Sequence, residues 1–429
     1  MVDVWLPYGK TDVCVRVPAR NLLGSIESVE RQGAADATAE VERALKDPIP
    51  IGSKRLSEIA KPESKVAIVV DDATRKMPTE TMLLPVLAEL NLAGVNDGNI
   101  TIIFGCGTHR SVKPEEATAI IGAEVLKRIK TVSHDCKAPD LVNLGTTKTQ
   151  GNKVLVNRIF AEADVKVLFG DVGFHYYAGY SGGRKSILPA VCGEETIKHN
   201  HSMLLHANAR SGNLADNPVH QDMTEAARLA KVDFILNVVT NKKGEIVKAF
   251  AGDLEEAYVE AVKLVDEMYR VTVDRRADIL VVSAGGNPAD INLYQAYKAL
   301  DNSLDAVKRG GVIILVAECP EGHGNQAFYD WMARLGDLKN VEREIKRNFV
   351  MGGHKAYYLL KALQNHQIIL VSSLPDYYAT SIFKLKTARA VNDALTEALK
   401  IAGSASRVWA MPQGNYTLPV FKAPEETKS

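Results

Sequence analysis

Six short apolar runs punctuate the chain: 65–70 (KVAIVV), 100–104 (ITIIF), 165–169 (VKVLF), 278–283 (DILVVS), 312–317 (VIILVA) and 367–372 (QIILVS). Each is rich in β-branched side chains and apolar at successive rather than alternate positions. That pattern fits a central strand covered by helices on both faces. Between the runs lie amphipathic stretches, 79–92, 114–129 and 253–268, in which apolar residues recur at helical spacing. Strands alternating with helices predict an α/β protein with mostly parallel sheets and right-handed crossovers. At 429 residues the chain has room for two or three domains. The charged segment 271–277 (VTVDRRA) predicts the boundary: one α/β domain over 1–273 and a second over 274–408. The turn-rich stretch 409–429 is expected to return to the first domain, ending in a polar tail, PEETKS.

Composition narrows the class. Hydrophobic residues are 46% and charged residues 24%, which is ordinary for a globular protein and excludes long disorder, collagen and coiled coil. Fifty-two basic residues balance 52 acidic ones, so the basic excess that a nucleic acid or membrane surface attracts is missing. The cysteines (Cys14, Cys106, Cys136, Cys192, Cys319) form no CxxC and read as free thiols in a reducing compartment. The N-terminus has no signal-peptide pattern, and the apolar runs are far shorter than the roughly 20 residues that span a bilayer. A soluble cytoplasmic protein without nucleic-acid or membrane partners is expected.

Ligands of open α/β sheets bind beyond the carboxyl ends of the strands. After 65–70 comes Asp71-Asp72-Ala73-Thr74-Arg75. After 100–104 comes Gly105-Cys106-Gly107-Thr108-His109-Arg110. After 165–169 the chain runs from Gly170 and Asp171 through His175 to the Gly-rich loop 179–186, GYSGGRKS. Three titratable or Gly-rich strand ends on one predicted edge point to a site. The glycines of 179–186 would let backbone N–H groups approach a phosphate, but Arg184 stands where a P-loop needs glycine before its lysine. His109 and His175, on different strands, are candidates for an acid/base pair. His199 and His201 cannot ligate one metal from a helix, since residues two apart point roughly 200° apart. A metal here would draw most of its ligands from elsewhere. In the second domain Tyr294, Gln295 and Lys298 share one face of a helix start, a set suited to a carboxylate.

Together DDATR (71–75), GTHR (107–110), HYYAGYSGGRKSILP (175–189), ETIKHNH (195–201) and NLYQAYK (292–298) resemble the nickel-dependent lactate racemase family. The resemblance runs through both domains, in order. It implies two α/β domains with the active site in a cleft between them, closing over the substrate. It also implies a nickel-pincer nucleotide, the pyridinium-3-thioamide-5-thiocarboxylic acid mononucleotide carrying Ni(II), attached covalently through Lys185 and supplied by cofactor-synthesis enzymes. His201 matches the nickel ligand, and His109 and His175 match the acid/base pair. Arg75 and Lys298 match residues near the substrate carboxylate and reacting groups, with Gln295 and Tyr294 as hydrogen-bonding neighbours. Asp72 matches a cofactor contact, and Thr74, Gly182, Gly183 and Arg184 are candidates around its phosphate.

The implied reaction inverts C2 of a 2-hydroxy acid by proton-coupled hydride transfer to and from the cofactor through a 2-keto acid. Hydride transfer avoids a carbanion, and inversion needs a proton acceptor on each side. Lactate enzymes of the family tend to carry Trp where this chain has Tyr358, which points toward a larger or more polar 2-hydroxy acid. Two alternatives compete. A kinase or ATPase using 179–186 has no use for His109 and His175. A non-catalytic cofactor carrier could dispense with both histidines.

Overall fold

The computed structural model describes residues 1–75 and 77–423. It divides into a split unit, Met1–Val29 with Tyr269 onward, and a continuous unit, Glu30–Met268. The chain opens with β1 (Val2–Tyr8), β2 (Thr11–Val17) and β3 (Leu22–Ser25). The continuous unit then lays down β4 (Val66–Asp71), β5 (Ile100–Gly105), β6 (Lys130–Ser133), the β7 (Val142–Thr146) and β8 (Lys153–Val156) hairpin, and β9 (Val165–Asp171). The short strands β10 (Phe174–His175) and β11 (Gly179–Tyr180) follow, then β12 (Phe234–Thr240) and β13 (Ile246–Gly252). Among the described residues, its main sheet runs β13-β12-β9-β4-β5-β6, parallel except for β13.

Back in the split unit come β14 (Arg270–Val273), β15 (Ala277–Ser283), β16 (Val307–Val316), β17 (Gln367–Val371), β18 (Lys386–Ala388), β19 (Val408–Met411) and β20 (Leu418–Phe421). Its main sheet, β18-β17-β16-β15-β19-β3, is parallel throughout.

All six apolar runs are strands, and they are buried because helices cover both faces. In the continuous unit Ile68, Val70, Ile102, Phe104, Val167 and Phe169 pack with Met82, Leu83, Val86 and Leu90 of the helix Thr79–Leu92. The stretch 114–129 is two helices, Pro114–Ile121 and Ala123–Arg128, because Gly122 between them adopts φ +81°.

Two domain expectations are corrected. Residues 1–29 belong with the C-terminal strands, because Leu6, Val15 and Val17 share a core with Ile279, Val281, Ile314 and Val316. The stretch after 408 does not return to the first domain: β19 sits between β15 and β3, and β20 pairs with β14. The boundary itself falls at 268/269, near the expected 273/274. The segment PEETKS lies outside the described residues.

Strand order locates the ligand edge. In the continuous unit the chain steps outward from β4 to β5 and β6, then returns to β9 on the other side of β4. The carboxyl ends of β4 and β9 therefore flank the point where strand order reverses, the place where open α/β sheets leave a crevice.

Candidate active site

Asp72, just past β4, is 5% exposed, and its Oδ1 accepts from the Thr74 amide (3.0 Å) and hydroxyl (2.6 Å). Its Oδ2 lies 2.7 Å from His109 Nδ1. Burial alone would raise the Asp72 carboxyl, but the hydrogen bonds from His109 and Thr74 outweigh it and hold the group below its ordinary range. Asp72 is therefore an ionised acceptor and His109 Nδ1 the donor. That holds the His109 proton on Nδ1, so the atom left to take up a proton is Nε2. Asp72 and Thr74, expected beside the cofactor, thus act here on His109.

His175 ends β10, whose partner β11 brings Gly179 opposite it. The Ala178 amide donates to His175 Nδ1 (3.3 Å), which puts the ring proton on Nε2. Burial, then Lys185, Arg75 and His201, push its pKa well below the ordinary imidazole value, so the ring is uncharged. Tyr177, 2% exposed, joins the parts. Its ring meets His175 edge-on at 4.5 Å and His201 at 5.2 Å, and Lys185 Nζ lies 5.7 Å from its centroid. Three residues far apart in the candidate motifs converge on this one ring. His201 is 1% exposed, whereas His199 is exposed and bonds the Gln150 carbonyl (3.0 Å). The Lys185 amine is driven well below its usual pKa by burial, Arg75 and Arg184, with Asp71 opposing. Burial and the neighbouring cations both favour the uncharged, nucleophilic form of the amine.

The loop between β11 and Lys185 turns through Gly182 (φ +73°) and Gly183 (φ +54°), where a Cβ would come within 2.6 Å of Val172 and 2.8 Å of the Tyr258 ring. Only glycine fits both. Three of the loop's amides are committed within the fold. Ser181 N donates to Gly173 O (2.8 Å), Gly183 N to Asn237 Oδ1 (3.1 Å) and Lys185 N to Gly182 O (3.2 Å). Arg184 is 2% exposed and donates to Gly182 O, Ala178 O, His220 Nδ1 and Tyr258 Oη, holding the turn shut rather than facing an anion. Asn237, 1% exposed, leaves its Nδ2 without a hydrogen-bond partner beside this turn, a buried donor that suits a bound polar group.

Asp71 and Asp171 end the two switch-point strands. Burial pushes Asp171 up to about 7, with the Thr240 hydroxyl opposing at 3.1 Å and the Asp71 charge adding to the rise. Asp71 is raised as well, chiefly by burial. A carboxyl raised on folding keeps a proton that the unfolded chain has released. Its stabilising contribution is complete below about pH 4 and is lost as pH rises through 7. Asp171→Asn should therefore gain stability on wild type between pH 4.5 and 8.5, by at least about 1 kcal/mol. Denaturant titrations at both values test this, and a constant difference would mean that the carboxyl is not raised.

In the split unit, Asn292 caps the helix Leu293–Ser303 by accepting from Gln295 N (3.0 Å), which presents Tyr294, Gln295 and Lys298 within its first turns. Lys355, 1% exposed, donates to the Tyr294 carbonyl (2.6 Å) and lies 4.4 Å and 5.1 Å from the Tyr294 and Tyr297 ring centroids. Tyr358, one helical turn along from Lys355, is 7% exposed.

Sequence reasoning gave Tyr177, Asp171 and Lys355 no role. Tyr177 lay inside a quoted motif, and its proximity to His201 depends on how 176–200 folds back. Asp171 could have been found as the second acidic residue ending a switch-point strand.

Residues 8–212 match the lactate racemase N-terminal domain model and residues 272–418 the lactate racemase C-terminal domain model. The lactate racemase of Thermoanaerobacterium thermosaccharolyticum is 33% identical over 96% of this chain and 98% of its own length. That of Lactiplantibacillus plantarum is 32% identical over 96% and 99%. The solved apoprotein from T. thermosaccharolyticum superposes with a TM-score of 0.89, covering 97% of this chain and 100% of that one. A Thermotoga maritima crystal structure, 20% identical with a TM-score of 0.65, covers 92% of this chain and 100% of its own and shares the fold. With both domain models matched in order and identity carried along almost the whole chain, this protein belongs to the lactate racemase family.

Proposed function

We propose that the protein is an isomerase, a cytoplasmic racemase or epimerase that inverts C2 of a 2-hydroxy acid with a nickel-pincer nucleotide as cofactor. The observation that carries the reading is the gathering of His175, His201 and Lys185 around Tyr177, with an Asp72-oriented His109 at the carboxyl edge of the same sheet. When bound, the cofactor would supply the hydride acceptor and donor that a weakly acidic C2–H requires. Lys185, as an uncharged buried amine, suits covalent attachment. Among the described residues no three His, Cys, Asp or Glu side chains gather to hold an ion, so a metal on His201 fits only with ligands from an organic group. The orphaned Asn237 Nδ2 adds a buried donor for such a group.

The chain's own residues handle the proton and the charges. His109 Nε2 takes the hydroxyl proton, oriented by Asp72 in the manner of a carboxylate–imidazole pair. His175, held uncharged with its proton on Nε2, donates a hydrogen bond to a substrate oxygen, as a neutral imidazole can. Arg75 and Lys298 attract the substrate carboxylate, and Gln295 and Tyr294 orient it. The relatives' names favour lactate. Tyr358 favours a larger or more polar 2-hydroxy acid, since a phenol can hydrogen-bond where an indole mostly packs.

The protein, co-produced with the cofactor-synthesis enzymes that would supply the nucleotide, should convert one enantiomer of lactate or of a polar 2-hydroxy acid to an equilibrium mixture. Chiral chromatography across a panel reads this out. A nickel-loaded preparation inert on every member would remove the proposal. No helix among the described residues is long and apolar enough to cross a membrane.

A further inference from the structure

His201 stands on a buried chain of hydrogen bonds that ends far from the site motifs. The Asn200 side-chain nitrogen donates to Asp222 Oδ2 (2.8 Å) and to the Val219 carbonyl (3.1 Å). The Val219 carbonyl can only accept, so the amide cannot be flipped. Its oxygen, at the other end, lies 3.1 Å from His201 Nδ1. An amide oxygen only accepts, so His201 Nδ1 must carry the proton.

Asp222 is held in turn from the turn of the β7–β8 hairpin. Thr147 Oγ1 donates to its Oδ1 (2.7 Å) and Asn152 Nδ2 to its Oδ2 (2.8 Å). Asn152 also donates to the Thr196 carbonyl (3.0 Å), and its amide donates to Thr147 Oγ1 (2.9 Å). None of Thr147, Asn152, Asp222, Asn200 and His201 is more than 2% exposed. Burying a carboxylate and three polar side chains is costly unless every group is paired. A core with no task here would be built of apolar residues.

We propose that Asp222 is a positioning residue which, through Asn200, locks His201 in its Nδ1–H tautomer and so makes Nε2 the ligating nitrogen. Imidazole in water prefers the opposite tautomer, with the proton on Nε2, which cannot ligate through that atom. Metal-bound histidines commonly have the other ring N–H fixed by an acceptor, and losing that partner weakens metal binding by about 10–100-fold. The proposal rests on His201 as the metal ligand, but the tautomer can be read without metal.

Nitrogen-15 spectra of the imidazoles in the metal-free full chain at pH 8 provide the test, with His201 assigned by its absence in His201→Gln. Wild type should show a protonated Nδ1 and an unprotonated Nε2 at His201. Asn200→Ala should release the ring to the Nε2–H form, and nickel retention in the co-produced protein should fall about 10–100-fold. Asp222→Asn can still accept from Asn200 and Asn152 while its own amide meets Thr147, so it should keep the tautomer. Asp222→Leu should lose it. An Nε2–H ring in wild type overturns the proposal even if every variant misfolds, as does a retained Nδ1–H ring in folded Asn200→Ala. Wild-type nickel content in His201→Ala would instead remove His201 as the ligand, while the tautomer result would stand by itself.

Discussion

His109→Ala should lower enantiomer interconversion by about 10²–10⁴-fold while leaving nickel and cofactor content unchanged. The expectation follows from how the ring is held. An ionised Asp72 accepts the Nδ1–H hydrogen bond at 2.7 Å, which leaves Nε2 as the atom that takes up a proton without any rearrangement. Asp72→Asn tests the same point without deleting the base. An asparagine can turn its amide nitrogen toward Nδ1 and draw the lone pair there, leaving Nε2 protonated and unable to accept. In serine proteases the corresponding change costs about 10⁴-fold in kcat, and a loss of at least 10²-fold is expected here as an order of magnitude. Activity in both directions, measured by chiral chromatography at matched cofactor loading, decides the matter. A rate within a few fold of wild type in His109→Ala would exclude that histidine as the base. His175→Ala should be impaired as well, since it removes the Nε2–H that would hold the substrate oxygen.

Lys185→Met should abolish the covalent cofactor adduct and at the same time stabilise the metal-free protein. Intact mass of the denatured, co-produced protein reads the first effect: wild type should carry a nucleotide-sized addition mapping to Lys185, and the variant none. The second effect follows from electrostatics. Burial, Arg75 and Arg184 all oppose a charge on this amine, so holding it in the folded chain costs stability while the unfolded chain is protonated. That loss is present below the ordinary lysine pKa and disappears only above it. Methionine has nearly the same length and no charge to bury. Removing a buried ionisable group in favour of apolar volume is often neutral or stabilising, and a raised melting temperature is expected at pH 7. An adduct that persists in Lys185→Met would place the attachment elsewhere. An unchanged melting temperature would mean that the amine is better compensated than its neighbours indicate.

Much of this was legible in the sequence, and the reason is physical. A parallel strand buried on both faces must be apolar throughout, so all six central runs declared themselves. Functional groups collect beyond strand ends, so Asp72, His109 and His175 could be read in place. What stayed hidden depended on distant pairing. β3 is four residues long with no distinctive pattern, and only its partner β19 reveals that the first 29 residues belong to the split unit. Arg184 looked like an anion ligand because its neighbours are glycines. Its acceptors, Ala178, His220 and Tyr258, become evident only once the loop is folded. Tyr177 was inside a recognised motif, yet nothing local says that it touches both His175 and His201.

The interleaving of the split unit sets an order for biosynthesis. The continuous unit leaves the ribosome whole once Met268 has emerged, and its sheet can form from its own strands. The β1–β2 hairpin is made before that unit, ahead of the strands that cover it. Leu6, Val15 and Val17 stay without Ile279, Val281 and Ile314 until those strands are translated, and β3 waits longer still for β19. The β1–β2 hairpin thus precedes the continuous unit in synthesis and is buried after it. Its apolar face is the segment most in need of chaperone protection while the rest is being made.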